Sequence, residues 1–427
     1  MKFVADLHIH SYLSRACSKS LRPEPLHRWC QLKGVTVLAT GDFTHPAWLG
    51  ELREKLVEAE EGLFRLKPEL ARAADLDVPA ACRAPVRFML AVEISCIYKK
   101  GGRTRKVHNM VYAPSFEAAC KLAASLEKIG NIRSDGRPIL GLDSKDLLSI
   151  VLECSDEAHL IPAHAWTPHF SVFGSESGFD SLEECFEDLA PRIFAVETGL
   201  SSDPAMNWRV SALDGVALVS NSDAHSPEKL AREANLFDTE LSYRGIFDAI
   251  RERDRSRFTG TLEFFPEEGK YHVDGHRACK TRLTPKQTLR RKGLCPVCGK
   301  QVTVGVLHRV EKLADREEGR RPRQAHGYES IVPLKEALGQ TLRVGPGSVK
   351  VDRQYHRLLS SFGGELRILR ELPLGELEDA GFPLLAVALR RMRKGEVKVS
   401  AGYDGEYGVI SLLREKDFTE TAQLSLL

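Results

Sequence analysis

The sequence predicts an α/β chain: a βα barrel, then a small Cys/His-rich insert, then a mostly helical C-terminal domain. Three observations predict it. Over residues 1–250 short apolar runs alternate with amphipathic stretches, the pattern of βα units around a parallel sheet or barrel. A Cys/His cluster interrupts that alternation within residues 251–310, and residues 311–427 turn to helical periodicity. With 427 residues, 42% of them hydrophobic and 28% charged, the chain has the length and composition of a two- or three-domain soluble protein. No apolar run approaches the ~18–20 residues of a membrane span. Met1–His10 is too short and too polar for a signal peptide, so a cytoplasmic protein with mostly reduced thiols is expected.

The strand-like runs come in order as Phe3–Ala5, Val35–Ala39, Phe88–Val92, His159–Pro162, Ile193–Val196 and Val216–Val219, with helix-like stretches such as Ala47–Ala59 and Ser115–Ile129 between them. Phe258–Phe265 reads as a further strand. Arg353–Ser361, Glu365–Arg370 and Phe382–Met392 read as helices, separated by loops at Gly345-Pro346-Gly347 and Gly363-Gly364. The charged stretch Glu311–Arg323 reads as a solvated helix or linker. Net charge is uneven. Residues 1–240 hold 27 Lys+Arg against 34 Asp+Glu (−7), and residues 241–427 hold 34 against 25 (+9). The first half suits a nest of metal ligands and the second a surface for a polyanion.

Ionisable residues gather just after the strands. His8 and His10 alternate at period two, so both imidazoles face one side and reach one cation. Asp42 and His45 follow the second strand, Glu93 ends the third, His108 lies fifteen residues on, and His164, Asp223 and His225 follow later strands. In a βα barrel, strand ends converge on one mouth, so these nine distant residues would meet. Paired divalent ions there would neutralise a phosphate, lower the pKa of a bound water toward ~7 and stabilise the leaving oxyanion. Histidine and carboxylate donors suit Zn²⁺ or Mn²⁺, whereas Mg²⁺ alone prefers more oxygen.

The second constellation is His276-Arg277-Ala278-Cys279 followed after fifteen residues by Cys295-Pro296-Val297-Cys298-Gly299. This spacing predicts one tetrahedral structural zinc on His276, Cys279, Cys295 and Cys298, with His272 or His308 as alternative fourth ligands. Residues 276–310 carry nine Lys/Arg and no Asp or Glu, and a single-sign patch on a zinc knuckle favours phosphate contact by Arg277, Lys280, Arg290, Arg291 and Lys292. The domains expected are therefore 1–250 (barrel), 251–310 (zinc-knuckle, DNA-binding) and 311–427 (helical).

The segments around Asp6–Ser11, Asp42, Glu93, His108, His164 and Ser222–His225 resemble the motif set of the PHP (polymerase and histidinol phosphatase) superfamily over roughly residues 1–245. The resemblance implies a distorted (βα)7 barrel with two or three catalytic divalent metals (Zn, Mn or Mg). His8, His10, Glu93 and Asp223 would hold one metal, and Glu93 would bridge to a second on His108 and His164. A third on Asp42, His45 and His225 departs from the pattern: Ala16 and Cys17 stand where many members have a histidine, and Asp42-Phe43 stands where they have Asp-His. The stretches Thr40–Pro46, Ala163–Phe170, Glu197–Pro204, Asp274–Arg277 and Gly402–Gly408 narrow the resemblance to the endonuclease Q family over nearly the full length. That resemblance implies DNA repair: hydrolysis 5′ of uracil, hypoxanthine, xanthine or an abasic site.

Stacked duplex cannot reach a metal site inside a barrel mouth, so the nucleotide is expected to flip out. Trp166, Phe170 or Phe173 would form a stacking wall, and His169 a phosphate contact. The chain end Gln423-Leu424-Ser425-Leu426-Leu427 resembles the short peptide that docks bacterial repair proteins on the sliding clamp, with Gln423, Leu424, Leu426 and Leu427 as anchors. A monomer associated with the nucleoid is expected. Two other readings compete: a small-molecule PHP phosphatase, which leaves the knuckle, basic patch and tail unexplained, and a non-catalytic clamp-bound DNA adaptor, against which the nearly intact ligand set argues.

Overall fold

The computed structural model describes residues 1–424, with side chains through Thr419. Within those residues no helix is long and apolar enough to cross a membrane. Leu426 and Leu427 lie outside the described residues, and Gln423 and Leu424 close the backbone of the last helix, Glu415–Leu424.

Alternating apolar residues build the barrel wall. Val37, Ala39, Met89 and Ala91 point to the interior, while Leu38, Phe88, Leu90 and Val92 point outward to the helices. Strand Lys2–Asp6 runs parallel to Val37–Ala39, which runs parallel to the start of Arg87–Lys100. The alternation expected from sequence then breaks. Arg87–Lys100 and Arg103–Ala113 form a long antiparallel hairpin across Gly101 and Gly102, both at positive φ, and the second arm pairs antiparallel with His159–Pro162. Ala195–Glu197 and Ala217–Val219 pair parallel, and Ala234–Asp238 returns antiparallel to the first strand. The predicted α/β class holds, as a distorted barrel.

The sheet runs past residue 250. Phe258–Glu263 pairs antiparallel with Ala234–Asp238 and parallel with Gly327–Ser330. The insert between them has the hairpin Asp274–His276/Thr281–Leu283, the helix Pro285–Arg290 with a Thr284/Gln287 capping box, and a minimal core of Leu283, Cys295 and Val302. Arg309, read from sequence as part of the basic run, is buried. It donates to the Phe173 and Phe179 carbonyls (2.8 and 2.7 Å) and to Asp180 (2.6 Å), fastening the insert to the barrel. Nor is the 311–323 stretch a free linker: Glu311 pairs with Arg209, Asp315 accepts from Ser211, and Arg316 pairs with Asp214.

The helical domain packs Leu358, Leu359, Leu369, Leu385 and Leu389 into the main core. Buried Glu365 anchors it to the barrel, accepting from Lys33 Nζ at 2.7 Å, Tyr355 Oη at 2.8 Å and the Leu334 amide at 3.0 Å.

Candidate metal centre

Strand ends deliver the donors as the periodicity requires. His8 and His10 are fully buried on one side, with ring centroids 5.5 Å apart. Asp42, His164 and Asp223 sit at φ +54, +28 and +46, left-handed conformations that cost a non-glycine residue of order 1–3 kcal/mol each and cluster at functional sites. Gly199 makes room for one of them: a Cβ there would meet the His164 Cβ at 2.4 Å.

Two donor groups result, each with its atoms within 4.8 Å of one another: His8, His10 and Asp223, and Glu93, His108 and His164. Glu93 lies between them. Its Oε1 is 2.6 Å from His108 Nδ1 and 3.0 Å from His164 Nε2, and its Oε2 is 3.4 Å from His10 Nε2. Asp223 Oδ1 is 3.1 Å from His10 Nε2 and 3.6 Å from His8 Nε2. Burial pushes Glu93 and Asp223 up, but the surrounding imidazoles outweigh it and hold both carboxyls below their ordinary range. His8 Nε2 is buried with no hydrogen-bond partner and faces carboxylates at 3.6 and 3.8 Å. A buried nitrogen aimed at carboxylates beyond hydrogen-bond reach is what a cation between them would satisfy, so the donor set fits divalent metal.

An outer layer orients these ligands. Glu197 accepts from His8 Nδ1 (3.0 Å), the His164 amide (2.7 Å) and Asn221 Nδ2 (2.8 Å). In sequence Glu197 opens the Glu197–Pro204 stretch that carries the resemblance. Arg137, 3.0 Å from Glu93 Oε2, was missed altogether. It follows an irregular loop with no periodicity to flag it. Phe170 packs at a tilt against His108, 4.8 Å between centroids, with Lys106 Nζ 5.2 Å from the Phe170 ring.

The expected third cluster does not form among the described residues. Asp42 is an orienting group, accepting from Ser11 (N 2.7 Å, Oγ 2.6 Å), Ser14 (2.8 Å) and His10 Nδ1 (3.3 Å). His45 points elsewhere: Nδ1 caps helix Pro46–Lys55 by accepting from the Ala47 amide, and Nε2 faces the Arg133 carbonyl. His225 packs edge-on to His10 at 4.7 Å with Nδ1 2.9 Å from the Asp223 carbonyl. The stacking wall is also revised. Trp166 and Phe173 are core residues, packed 5.0 Å apart with Trp166 Nε1 donating to Asn207, while His169 is exposed. A cavity of about 570 Å³ opens instead beside Thr167, whose hydroxyl lies 3.1 Å from His164 Nδ1; Arg232, Phe264, Lys270 and Tyr271 also line it.

In the insert, His276, Cys279, Cys295 and Cys298 converge within 4.8 Å. His308 is held by Asp274 at 2.7 Å and His272 is buried elsewhere, so neither joins them. Burial would raise the Cys295 thiol, but the Cys298 and Val297 amides lower it to about 6, toward the thiolate that zinc binds. Arg277, Lys280, Arg290, Arg291 and Lys292 are all exposed around this group.

Residues 333–396 match the family of the MJ0043 C-terminal domain. The MJ0043 protein of Methanocaldococcus jannaschii is 30% identical over 277 residues, and the chain spans about a third of its length (34%), covering 62% of this chain. YqxK of Bacillus subtilis is 28% identical, with 96% of this chain and 99% of YqxK aligned. Among solved structures, the lesion-specific endonuclease PfuEndoQ of Pyrococcus furiosus superposes with a TM-score of 0.83 at 28% identity, covering 98% of this chain and 99% of that one. The chain is similar to endonuclease Q over nearly its whole length. A second endonuclease Q structure, in complex with a 27-mer duplex carrying an abasic lesion at the active site, has a TM-score of 0.82 at 29% identity, covering 97% and 98% of the two chains. The endonuclease Q likeness therefore takes in the barrel, the Cys/His insert and the helical domain together.

Proposed function

We propose that this protein is a metal-dependent DNA repair endonuclease that hydrolyses the phosphodiester 5′ of a deaminated or abasic nucleotide. The observation that carries the reading is Glu93, which lies between the two histidine sets within one buried mouth. The abasic duplex held by the second endonuclease Q structure supports a DNA substrate. A small-molecule phosphatase would need neither the Cys/His insert nor its ring of exposed cations.

His8, His10 and Asp223 would hold one metal and His108 and His164 a second, with Glu93 between. Divalent metals bound there would supply an activated water and charge for the phosphoryl oxygens. The chain's own groups set the geometry. Glu197 fixes the His8 tautomer and ring angle, leaving Nε2 directed inward, and Asp42 does the same for His10. Arg137 partly neutralises the buried carboxylate and keeps a cation at the mouth, where it would favour an incoming phosphodiester. The cavity beside Thr167 has room for an everted nucleotide, with Phe264 and Tyr271 as aromatic surfaces and Arg232 and Lys270 as cations. The insert would hold zinc on His276, Cys279, Cys295 and Cys298 and present Arg277, Lys280, Arg290, Arg291 and Lys292 to the DNA backbone. Clamp docking through Gln423–Leu427 rests on the sequence alone.

The test is an end-labelled duplex with one uracil, hypoxanthine or abasic site, incubated with Mn²⁺ or Mg²⁺. Nicking 5′ of the lesion is expected. Asp223→Asn should abolish it while duplex binding persists. Phosphate release from sugar phosphates without DNA nicking would favour the phosphatase instead.

A further inference from the structure

The insert exposes apolar side chains as well as cations. Leu289 is 61% exposed, Leu294 38% and Val297 70%, all within nine residues. The unit has few apolar residues to bury, and Leu283, Cys295 and Val302 take its interior, so these three are left facing water. Each sits on a fixed backbone. Leu289 is on the capped helix Pro285–Arg290. Leu294 is in a turn closed by its amide to the Arg291 carbonyl and is bridged to Gln301. Val297 lies between the two cysteines of the knuckle, which is closed by the Cys295 amide to the Lys300 carbonyl (2.8 Å) and the Gly299 amide to the Cys295 carbonyl (2.9 Å). Around them Lys286, Arg290, Arg291, Lys292 and Lys300 are exposed, and residues 276–310 contain no acid.

Rigid, exposed apolar groups set among cations of one sign match a partner with an anionic rim and an apolar interior. Duplex DNA has this layout, with phosphates outside and stacked bases within. A protein partner would need a matching acidic rim that nothing here selects. We propose that Val297, flanked by Leu289 and Leu294, is a wedge that enters the base stack of the bound duplex while the neighbouring Lys and Arg residues hold the phosphates. The inference rests on the DNA reading above and adds to it a means of loosening the duplex so that a nucleotide can leave the stack.

The test compares wild type with Leu289→Ser/Val297→Ser and with the single substitution Val297→Ser, each checked for zinc content. 2-Aminopurine beside an abasic site reports unstacking. Wild-type binding should raise its fluorescence, the variants should lose that rise, and intact-duplex nicking should fall about tenfold. On a substrate with a preformed bubble around the lesion, the deficit should shrink to about twofold, because the unstacking is already done. A fluorescence rise that persists in both variants, or a deficit equal on bubble and duplex, overturns the wedge and leaves the apolar group to a protein partner. Failure of wild type to nick any lesion substrate would instead defeat the endonuclease reading itself.

Discussion

Arg137 Nη1 lies 3.0 Å from Glu93 Oε2, joining a guanidinium at the barrel mouth to the carboxylate shared by both histidine sets. Burial alone would lower the Arg137 pKa; Glu93 and Asp223 more than compensate and raise it, so it stays charged at every working pH. Arg137→Met should lower the nicking rate about 10²-fold at saturating DNA, with Lys recovering part of it as a point charge without the planar fork. Single-turnover rates, with lesion-duplex affinity measured alongside, check this. An unchanged rate would remove Arg137 from the reaction.

Glu197 touches no expected metal position, yet it holds His8 and the His164 backbone at once. Replacing one charged oxygen by an amide in Glu197→Gln leaves volume intact but puts an NH₂ where His8 or the His164 amide donates. Metal affinity should fall about 10–100-fold with little change in melting temperature. Titration of the metal-free protein against a competing chelator reads it directly.

The legible part of the site was the part set by strand alternation. His8 and His10 share a face because strand side chains repeat every two residues, and His276, Cys279, Cys295 and Cys298 close because their spacing fits a knuckle. Alternation also marks which strands exist, but not their direction. His108 reaches Glu93 through a hairpin strand that opens on the charged run 103–106 and shows its apolar run only at 110–113, after His108, and the helix cap at His45 competed successfully with a ligand role. Trp166 sits in a run of aromatics that reads equally as pocket or core, and only three-dimensional packing decides between them.

Because Trp166 is 1% exposed and its indole NH donates to Asn207 at 2.7 Å, its loss should act through stability. Trp166→Ala should destabilise the protein by about 3–5 kcal/mol while the ratio of nicking rates between uracil and hypoxanthine stays unchanged at a temperature where the variant is folded. Denaturant melts and paired rate measurements separate the two effects. A shifted lesion ratio in folded protein would restore the wall reading.

Glu263 is buried among Thr198, Ser220 and Thr261. Burial pushes its carboxyl up to about 8, the nearby Asp203 adding to the shift. A folded pKa above the unfolded one means the native state binds the extra proton. Stability from this group is thus full below the unfolded value of about 4.5 and is lost as pH rises toward 8. Glu263→Gln mimics the protonated form. It should melt at or slightly below wild type at pH 5 and about 2 °C or more above it at pH 9. Parallel thermal melts across that window are the measurement, and a wild type whose stability is flat from pH 5 to 9 would contradict the assignment.

The exposed cations of the insert make a distinct prediction from the metal centre, because phosphate contacts act through counterion release. If Arg290, Arg291 and Lys292 each neutralise one phosphate, replacing all three by Ala should reduce the slope of log K against log salt by about 2.7. The loss of affinity should be nearly equal for lesion and undamaged duplex, since backbone contacts carry no base information. At low salt and saturating DNA, the nicking rate should stay within about twofold of wild type, because these residues stand on the insert and not among the barrel's histidine and carboxylate donors. Binding isotherms over a salt series on both duplexes supply the slope. If it does not change, the cations do not contact phosphates, and the basic patch is only a solvated surface.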